Sequence, residues 1–137
     1  MVKVVFGRKG MGKTKILVEE ANKLAVESSG DIVFIDDSSH LMYDLKHEVR
    51  FINVSEFPLV GSDGFLGFVC GIISEDYDID AIFIDGLTYI LKQKVDTLEG
   101  FFKNIEQISE KYNIKFYFSI NSETGIIPEF LREYVTA

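Results

Sequence analysis

One glycine-rich segment near the N-terminus has the residue types and spacing of a phosphate-binding loop. Residues 7–14 read Gly-Arg-Lys-Gly-Met-Gly-Lys-Thr and fit G-x-x-x-x-G-K-[ST] at every fixed position. In such a loop the glycines bring backbone N–H groups onto phosphate oxygens, the lysine contacts the β- and γ-phosphates, and the hydroxyl ligates Mg²⁺. The segment therefore predicts binding of a nucleoside triphosphate, ATP, with Mg²⁺, through Gly7, Arg8, Lys9, Gly10, Met11, Gly12, Lys13, Thr14 and the next residue, Lys15.

Two apolar runs end in aspartate and supply the carboxylate that a magnesium triphosphate site also needs. Residues 32–37 read Ile-Val-Phe-Ile-Asp-Asp, and residues 81–86 read Ala-Ile-Phe-Ile-Asp-Gly. An aspartate in either place could equally be an ordinary turn residue at the end of a strand. Because the carboxyl ends of parallel strands converge where a phosphate loop lies, we expect Asp36, Asp37 or Asp85 to face the loop.

Short apolar runs alternate with longer amphipathic stretches, which predicts a βαβ architecture with a parallel sheet in a single domain of residues 1–137. The predicted strands are Val2 to Phe6, Asp31 to Asp36, Val49 to Val54, Ala81 to Asp85 and Ile114 to Ile120. Most are continuous runs of Val, Ile and Phe, as expected for strands covered by helices on both faces.

Three helices are predicted between these strands. The first begins near Gly12 or Lys13 and ends at Gly30, and the second begins after Ser62. The third has Asp96 as a capping residue with Glu99 three positions later. Cys70 falls in the second helix, where we expect a small core residue.

The order of these elements resembles the RecA-like ATPase core over nearly the whole chain. Residues 34–40 resemble its acidic run, residues 81–88 its Walker B strand, and residues 117–121 its sensor strand. The resemblance implies a three-layer α/β/α P-loop fold with a five-stranded parallel sheet in the order 3-2-4-5-1. It also implies Asp85 as the magnesium carboxylate and Asn121 as the γ-phosphate sensor.

The sequence departs from that family in two respects. The family's catalytic base is normally Glu, whereas here Asp37 is the first candidate and Asp36 the second, and a base must come within roughly 3 Å of its proton. The chain also ends soon after the fifth strand, without the DNA-binding loops of the recombinases. The expected function is a slow ATPase or a nucleotide-dependent switch that a protein partner or a second copy reads.

Charge and composition narrow the partners. The net charge of −8 disfavours broad nucleic-acid binding. No segment approaches the roughly 20 apolar residues of a membrane helix, and the single cysteine excludes an internal disulfide. A cytoplasmic protein without a membrane partner is the simplest expectation.

Two other function classes stay open at this point. A small-molecule or nucleoside kinase uses the same loop, although the chain has no arginine-rich lid. A non-enzymatic interaction protein could retain a vestigial loop. GTP is a possible ligand, but a guanine-reading Asn/Thr-Lys-x-Asp motif is absent from the sequence. Arg50 and Arg132 could act as arginine fingers for a neighbouring subunit, and His40 and His47 could at most touch a substrate.

Overall fold

The computed structural model describes residues 1–135, which form a five-stranded parallel sheet covered by helices on both faces. The strands are β1 (Val2–Gly7), β2 (Asp31–Asp36), β3 (Val49–Asn53), β4 (Ile79–Ile84) and β5 (Lys115–Asn121). The helices are α1 (Lys13–Glu27), α2 (Gly61–Glu75), α3 (Leu87–Leu91) and α4 (Glu99–Tyr112).

The strand order β1-β5-β4-β2-β3 is the predicted order 3-2-4-5-1 read from the other edge. The predicted fold class is therefore confirmed. The order places the carboxyl ends of β1, β5, β4 and β2 side by side at one end of the sheet, because all neighbouring strands are parallel. Every polar residue that ends one of these strands is thus directed to the same edge.

The two faces of the sheet carry separate apolar clusters. One face packs against α2, α3 and α4 and includes Phe65, Phe102 and Phe118. The other packs against α1, where Leu17 and Ala21 are fully covered by the sheet. The alternation of strand side chains assigns each residue to one face.

A row of stacked aromatic rings crosses the α1 face. Phe83 of β4 lies 4.4 Å from Tyr117 of β5 and 5.8 Å from Phe34 of β2, measured between ring centroids. All three side chains are buried. Because side chains two residues apart share a face, the next row on this face contains Asp36, Asp85 and Ser119.

Three local predictions were wrong. Asp96 lies in a separate 3-10 turn, Val95–Thr97, so α4 begins at Glu99 without a side-chain cap. The helix bounds also differ, since α1 ends at Glu27, before Gly30, and α2 begins at Gly61 rather than after Ser62. Gly30 instead approaches the neighbouring strand so closely that a Cβ there would lie 2.4 Å from the Asp78 carbonyl oxygen.

The third concerns Cys70, which is exposed rather than buried. The covered face of α2 is set by Phe65, Val69 and Ile73, spaced four residues apart. Cys70 follows Val69 and is therefore rotated by about 100° away from that stripe.

Candidate functional site

The Gly7–Thr14 segment connects the end of β1 to the start of α1 in the predicted strand–loop–helix setting. Gly10 and Gly12 have φ angles of 86° and 79°, in the left-handed region that side chains rarely adopt. Gly12 is also the N-cap of α1 and no side chain caps the helix there, so the first N–H groups of α1, which lack partners within the helix, lie at the loop. The backbone thus has the conformation and the helix dipole of an anion site.

Lys13 is buried beneath this loop, with 6% of its surface exposed. Its Nζ donates a hydrogen bond to the Arg8 carbonyl oxygen at 2.5 Å, from one side of the loop to the other. Burial lowers the pKa of the ammonium group, and the charge of Asp85 acts in the opposite direction. The lysine is therefore held inside the loop by a contact that an anion could replace.

Thr14 and Asp85 meet at the centre of the site. The Thr14 hydroxyl lies 3.2 Å from Oδ1 and 3.0 Å from Oδ2 of Asp85. Asp85 follows β4 directly, and its backbone N–H donates to the Ile35 carbonyl at 3.0 Å, which extends the pairing with β2 by one residue. A hydroxyl beside a carboxylate is an all-oxygen donor pair of the kind Mg²⁺ prefers, so the predicted metal residues fit that ion chemically.

Asp36 and Asp37 differ sharply in their surroundings. Asp36 is buried, whereas Asp37 is exposed and donates its backbone N–H to Oδ1 of Asp36 at 2.8 Å. Burial raises the pKa of Asp36 to about 7, and the charges of Asp85 and Asp37 add to the increase, against the hydrogen bond from the Asp37 backbone. The buried carboxyl group of Asp36 is therefore close enough to Asp85 for the charge of Asp85 to affect its pKa.

A cavity of 410 Å³ joins the loop to both aspartate-bearing strand ends. Its lining consists of Lys9, Thr14, Asp36, Asp37, Ser38, His40, Leu41, Asp85 and Tyr89. His40 therefore belongs to the wall of this cavity. The structure brings Thr14, Asp85 and both candidate bases together in one space.

Asn121 lies apart from that cavity. It ends β5 opposite Gly7 in the strand register and lines a neighbouring cavity of 500 Å³. Lys9 and Tyr89 line both spaces, so the two cavities adjoin at these side chains. Asn121 is consequently beside the loop, on the β5 side.

The remaining loop residues point outward. Arg8 donates to the Thr124 carbonyl at 3.4 Å and so contacts the segment after β5. Met11 is 68% exposed, and Lys15 forms an exposed ion pair with Glu19 at 3.9 Å. Arg8 and Lys9 line the space beside Asn121, whereas Met11 and Lys15 line neither cavity.

The other predicted candidates lie elsewhere. Arg50 forms an ion pair with Asp76 at 2.9 Å, and Asp76 directly follows α2, before β4 begins. Arg132 pairs with Glu129 and lines a larger cavity of 560 Å³ against α4. No residue of the Gly7–Thr14 loop lines this larger cavity, so the cavity is separate from the loop site. His47 lines neither cavity beside the loop.

No protein-family model matches the chain, and neither does any curated protein. Among solved structures, the chain is similar to the crystal structure of the flagellar accessory protein FlaH from Methanocaldococcus jannaschii, with a TM-score of 0.57 and 15% sequence identity. The two chains share a fold. The similarity covers 92% of this chain and 62% of FlaH, so the chain spans less than two thirds of that protein.

The similarity to FlaH concerns the architecture alone, because an identity of 15% says nothing about whether the two proteins share their chemistry. The likeness shows a shared α/β fold, with a parallel sheet covered by helices on both faces. In addition, no helix among residues 1–135 combines the length and the apolar character needed to cross a membrane.

One residue that contacts the site was not found from the sequence. Ser119 of β5 is 3% exposed and donates a hydrogen bond to Oδ1 of Asp85 at 2.6 Å. A signal was present, because a serine interrupts the apolar run of residues 116–120 two positions before Asn121. Its partner, Asp85 after β4, depended on the strand register and could not be identified from that pattern alone.

Proposed function

We propose that this chain binds Mg-ATP at the Gly7–Thr14 loop and acts as a slow ATPase or a nucleotide-dependent switch. The observation that carries the proposal is the contact between Thr14 and Asp85, because it joins the loop to the carboxylate at the end of β4. A glycine-rich loop alone could be an ordinary turn. The further parts that a triphosphate site requires are a buried lysine in the loop, Lys13, and a hydroxyl beside a carboxylate, here Thr14 of the loop and Asp85 after β4.

Phosphate binding would use the backbone and Lys13. The left-handed glycines and the open N-terminus of α1 present N–H groups and the positive end of the helix dipole. The Lys13 ammonium group would leave the Arg8 carbonyl and contact the β- and γ-phosphates. That exchange replaces a neutral acceptor with a charged one, which strengthens the hydrogen bond.

Thr14 and Asp85 would hold magnesium, with Thr14 as a direct ligand and Asp85 acting through bound water. A bound magnesium ion would neutralise part of the phosphate charge. It would also offset the repulsion between the covered carboxyl groups of Asp85 and Asp36. Magnesium would thus reduce the negative charge of both the carboxylates and the phosphates, so the binding of metal and the binding of nucleotide should favour each other.

Water activation would fall to one of the two aspartates at the end of β2. Asp37 is nearer to solvent, whereas Asp36 is covered, and its burial raises its pKa in the metal-free protein to about 7, towards the range that suits a general base. These properties favour Asp36 as the base, with Asp37 as the alternative. Either side chain is one methylene shorter than Glu, and this shorter reach is the reason for the slow rate that we propose.

Occupancy of the site would be reported through Asn121 and the segment that follows it. Asn121 lies beside Gly7, and the Ser122 backbone N–H donates to the Gly7 carbonyl at 3.0 Å. In this proposal Asn121 senses the γ-phosphate, and a protein partner or a second copy of the chain reads the result.

Single-turnover hydrolysis of radiolabelled ATP tests the activity. We expect wild-type protein to release phosphate slowly, and Asp36→Asn to lower the rate at least tenfold, while Asp37→Asn retains most of it. Lys13→Ala is the negative control because it removes the phosphate contact. The opposite ranking of the two aspartate variants assigns the base to Asp37, and equal rates in all four proteins contradict hydrolysis at this site.

A further inference from the structure

Ser119 has a hydrogen-bond arrangement that acts on Asp85 rather than on the loop. Its Oγ accepts the backbone N–H of Gly86 at 2.7 Å and donates to Oδ1 of Asp85 at 2.6 Å. Ser119 lies on β5, one residue beyond the pairing of Phe118 with Ile84. A single buried hydroxyl therefore joins β5 to the side chain of Asp85 and to the backbone that follows it.

The direction of these two hydrogen bonds is fixed by chemistry. A serine hydroxyl has one proton to donate, and the Gly86 N–H can only approach a lone pair of the oxygen. The proton must then point to Asp85. Oδ1 is consequently engaged from the β5 side, while Oδ2 lies nearer to the Thr14 hydroxyl, at 3.0 Å rather than 3.2 Å.

We propose that Ser119 is a positioning residue that orients the Asp85 carboxylate and keeps Oδ2 on the side of Thr14, where these two residues would hold magnesium. This inference rests on the function proposed above. Among the residues described, only Ser119 and Thr14 form side-chain hydrogen bonds to the Asp85 carboxylate. If the Thr14 hydroxyl served as a metal ligand, Ser119 would be the remaining side-chain partner of this carboxylate.

The backbone at this point explains why such a partner is needed. Gly86 has a φ angle of 72° and begins the turn into α3, so the chain leaves the sheet immediately after Asp85. Without Ser119 the carboxylate could rotate about its χ2 torsion, which has no strongly preferred angle. Outer hydrogen bonds of this kind orient metal ligands, and their loss typically weakens metal affinity by about 10- to 100-fold.

Ser119 also differs from an ordinary polar residue in a strand. Its side-chain neighbours along the same face are Tyr117 and Asn121, and the adjoining β5 positions Phe118 and Ile120 are fully buried and apolar. An alanine or valine at this position would remove the hydrogen-bond partner of the Gly86 N–H and of the Asp85 carboxylate. The serine is therefore explained by the two hydrogen bonds that it makes.

The test is a Mg²⁺ titration of the binding of a fluorescent ATP analogue, with wild-type protein, Ser119→Ala and Ser119→Thr. We expect Ser119→Ala to raise the Mg²⁺ concentration at half-saturation about tenfold and to leave metal-free binding in EDTA unchanged. Ser119→Thr keeps the hydroxyl and restores the wild-type value. Ser74→Ala, an exposed change on α2, is the matched control and leaves both values unchanged.

Two results would overturn the inference. The first is a folded Ser119→Ala protein whose Mg²⁺ half-saturation stays within twofold of wild type. The second is a loss of analogue binding in EDTA equal to the loss in Mg²⁺, since that pattern indicates general damage to the site. If Ser119→Ala does not fold, Ser119→Cys is titrated with the same criteria. If Mg²⁺ does not change analogue binding by the wild-type protein, the proposed magnesium site itself is contradicted. This outcome differs from the two above, in which the wild-type protein responds to Mg²⁺.

Discussion

The Thr14 hydroxyl lies 3.0 Å from Oδ2 of Asp85, although 71 positions separate the two residues along the chain. The contact exists because Thr14, the last residue of the loop, lies in the first turn of α1, while Asp85 follows β4, two strands away from β1 in the sheet. The last residue of the loop and the last carboxylate of a buried strand thus meet at one edge of the sheet.

Replacing Thr14 separates the metal contact from the phosphate contacts. We expect Thr14→Ser to bind Mg-ATP within threefold of wild type, because the hydroxyl is retained. Thr14→Val has a similar shape without the hydroxyl. In this variant, the factor by which Mg²⁺ raises the affinity for ATP should fall about tenfold or more. Isothermal titration with ATP in Mg²⁺ and in EDTA measures this difference. Equal stimulation in both variants would exclude Thr14 as a metal ligand.

Asp36 should make the stability of the metal-free protein depend on pH. Its pKa is about 7 in the folded protein, against 3.8 for the ordinary group, so the folded state retains the proton more tightly. This contribution is fully present below about pH 4 and is lost as the pH rises towards 7. We expect Asp36→Asn to become more stable relative to wild type over that interval, by up to about 4 kcal/mol.

Urea denaturation in EDTA at several pH values measures the effect. Glu27→Gln, at the exposed end of α1, is the control for the loss of one negative charge. A constant difference between Asp36→Asn and wild type from pH 4 to pH 8 would show that Asp36 is ionised throughout.

Phe83 should be a major contributor to the stability of the α1 face. Its ring is fully buried and lies nearly parallel to Tyr117 and Phe34, at interplanar angles of 4° and 8°. We expect Phe83→Ala to lower the free energy of unfolding by about 3–5 kcal/mol, through lost burial and a residual cavity. Urea denaturation checks this value. Tyr43→Ala, at a 90% exposed position, should change it by less than about 0.5 kcal/mol.

Much of this architecture was predictable, because its signals are local. The five apolar runs located all strands to within two residues, and the Asp31–Asp36 strand has the predicted bounds. The glycine pattern of residues 7–14 predicted a strand–loop–helix connection, which the φ angles of Gly10 and Gly12 bear out. Strand order required the resemblance to a known core, since periodicity contains no information about neighbours.

What escaped prediction depends on register and on helix rotation. Ser119 meets Asp85 only because β4 and β5 pair in one register, and a shift by one residue would turn the serine to the opposite face. The burial of Asp36 and the exposure of Asp37 likewise follow from where β2 ends. Cys70 was assigned to the core from the apolar character of its helix, whereas its angular position on α2 decides its exposure.

Isothermal titration calorimetry of Mg-ATP binding tests the central claim most directly. It compares wild-type protein with Lys13→Ala and Lys15→Ala. Lys13 is buried in the loop, whereas Lys15 is an exposed lysine two residues later. We predict saturable binding by wild-type protein and Lys15→Ala, and a loss of at least 30-fold in affinity for Lys13→Ala. Wild-type protein that binds neither ATP nor GTP in Mg²⁺, or binding that survives in Lys13→Ala, would contradict the account.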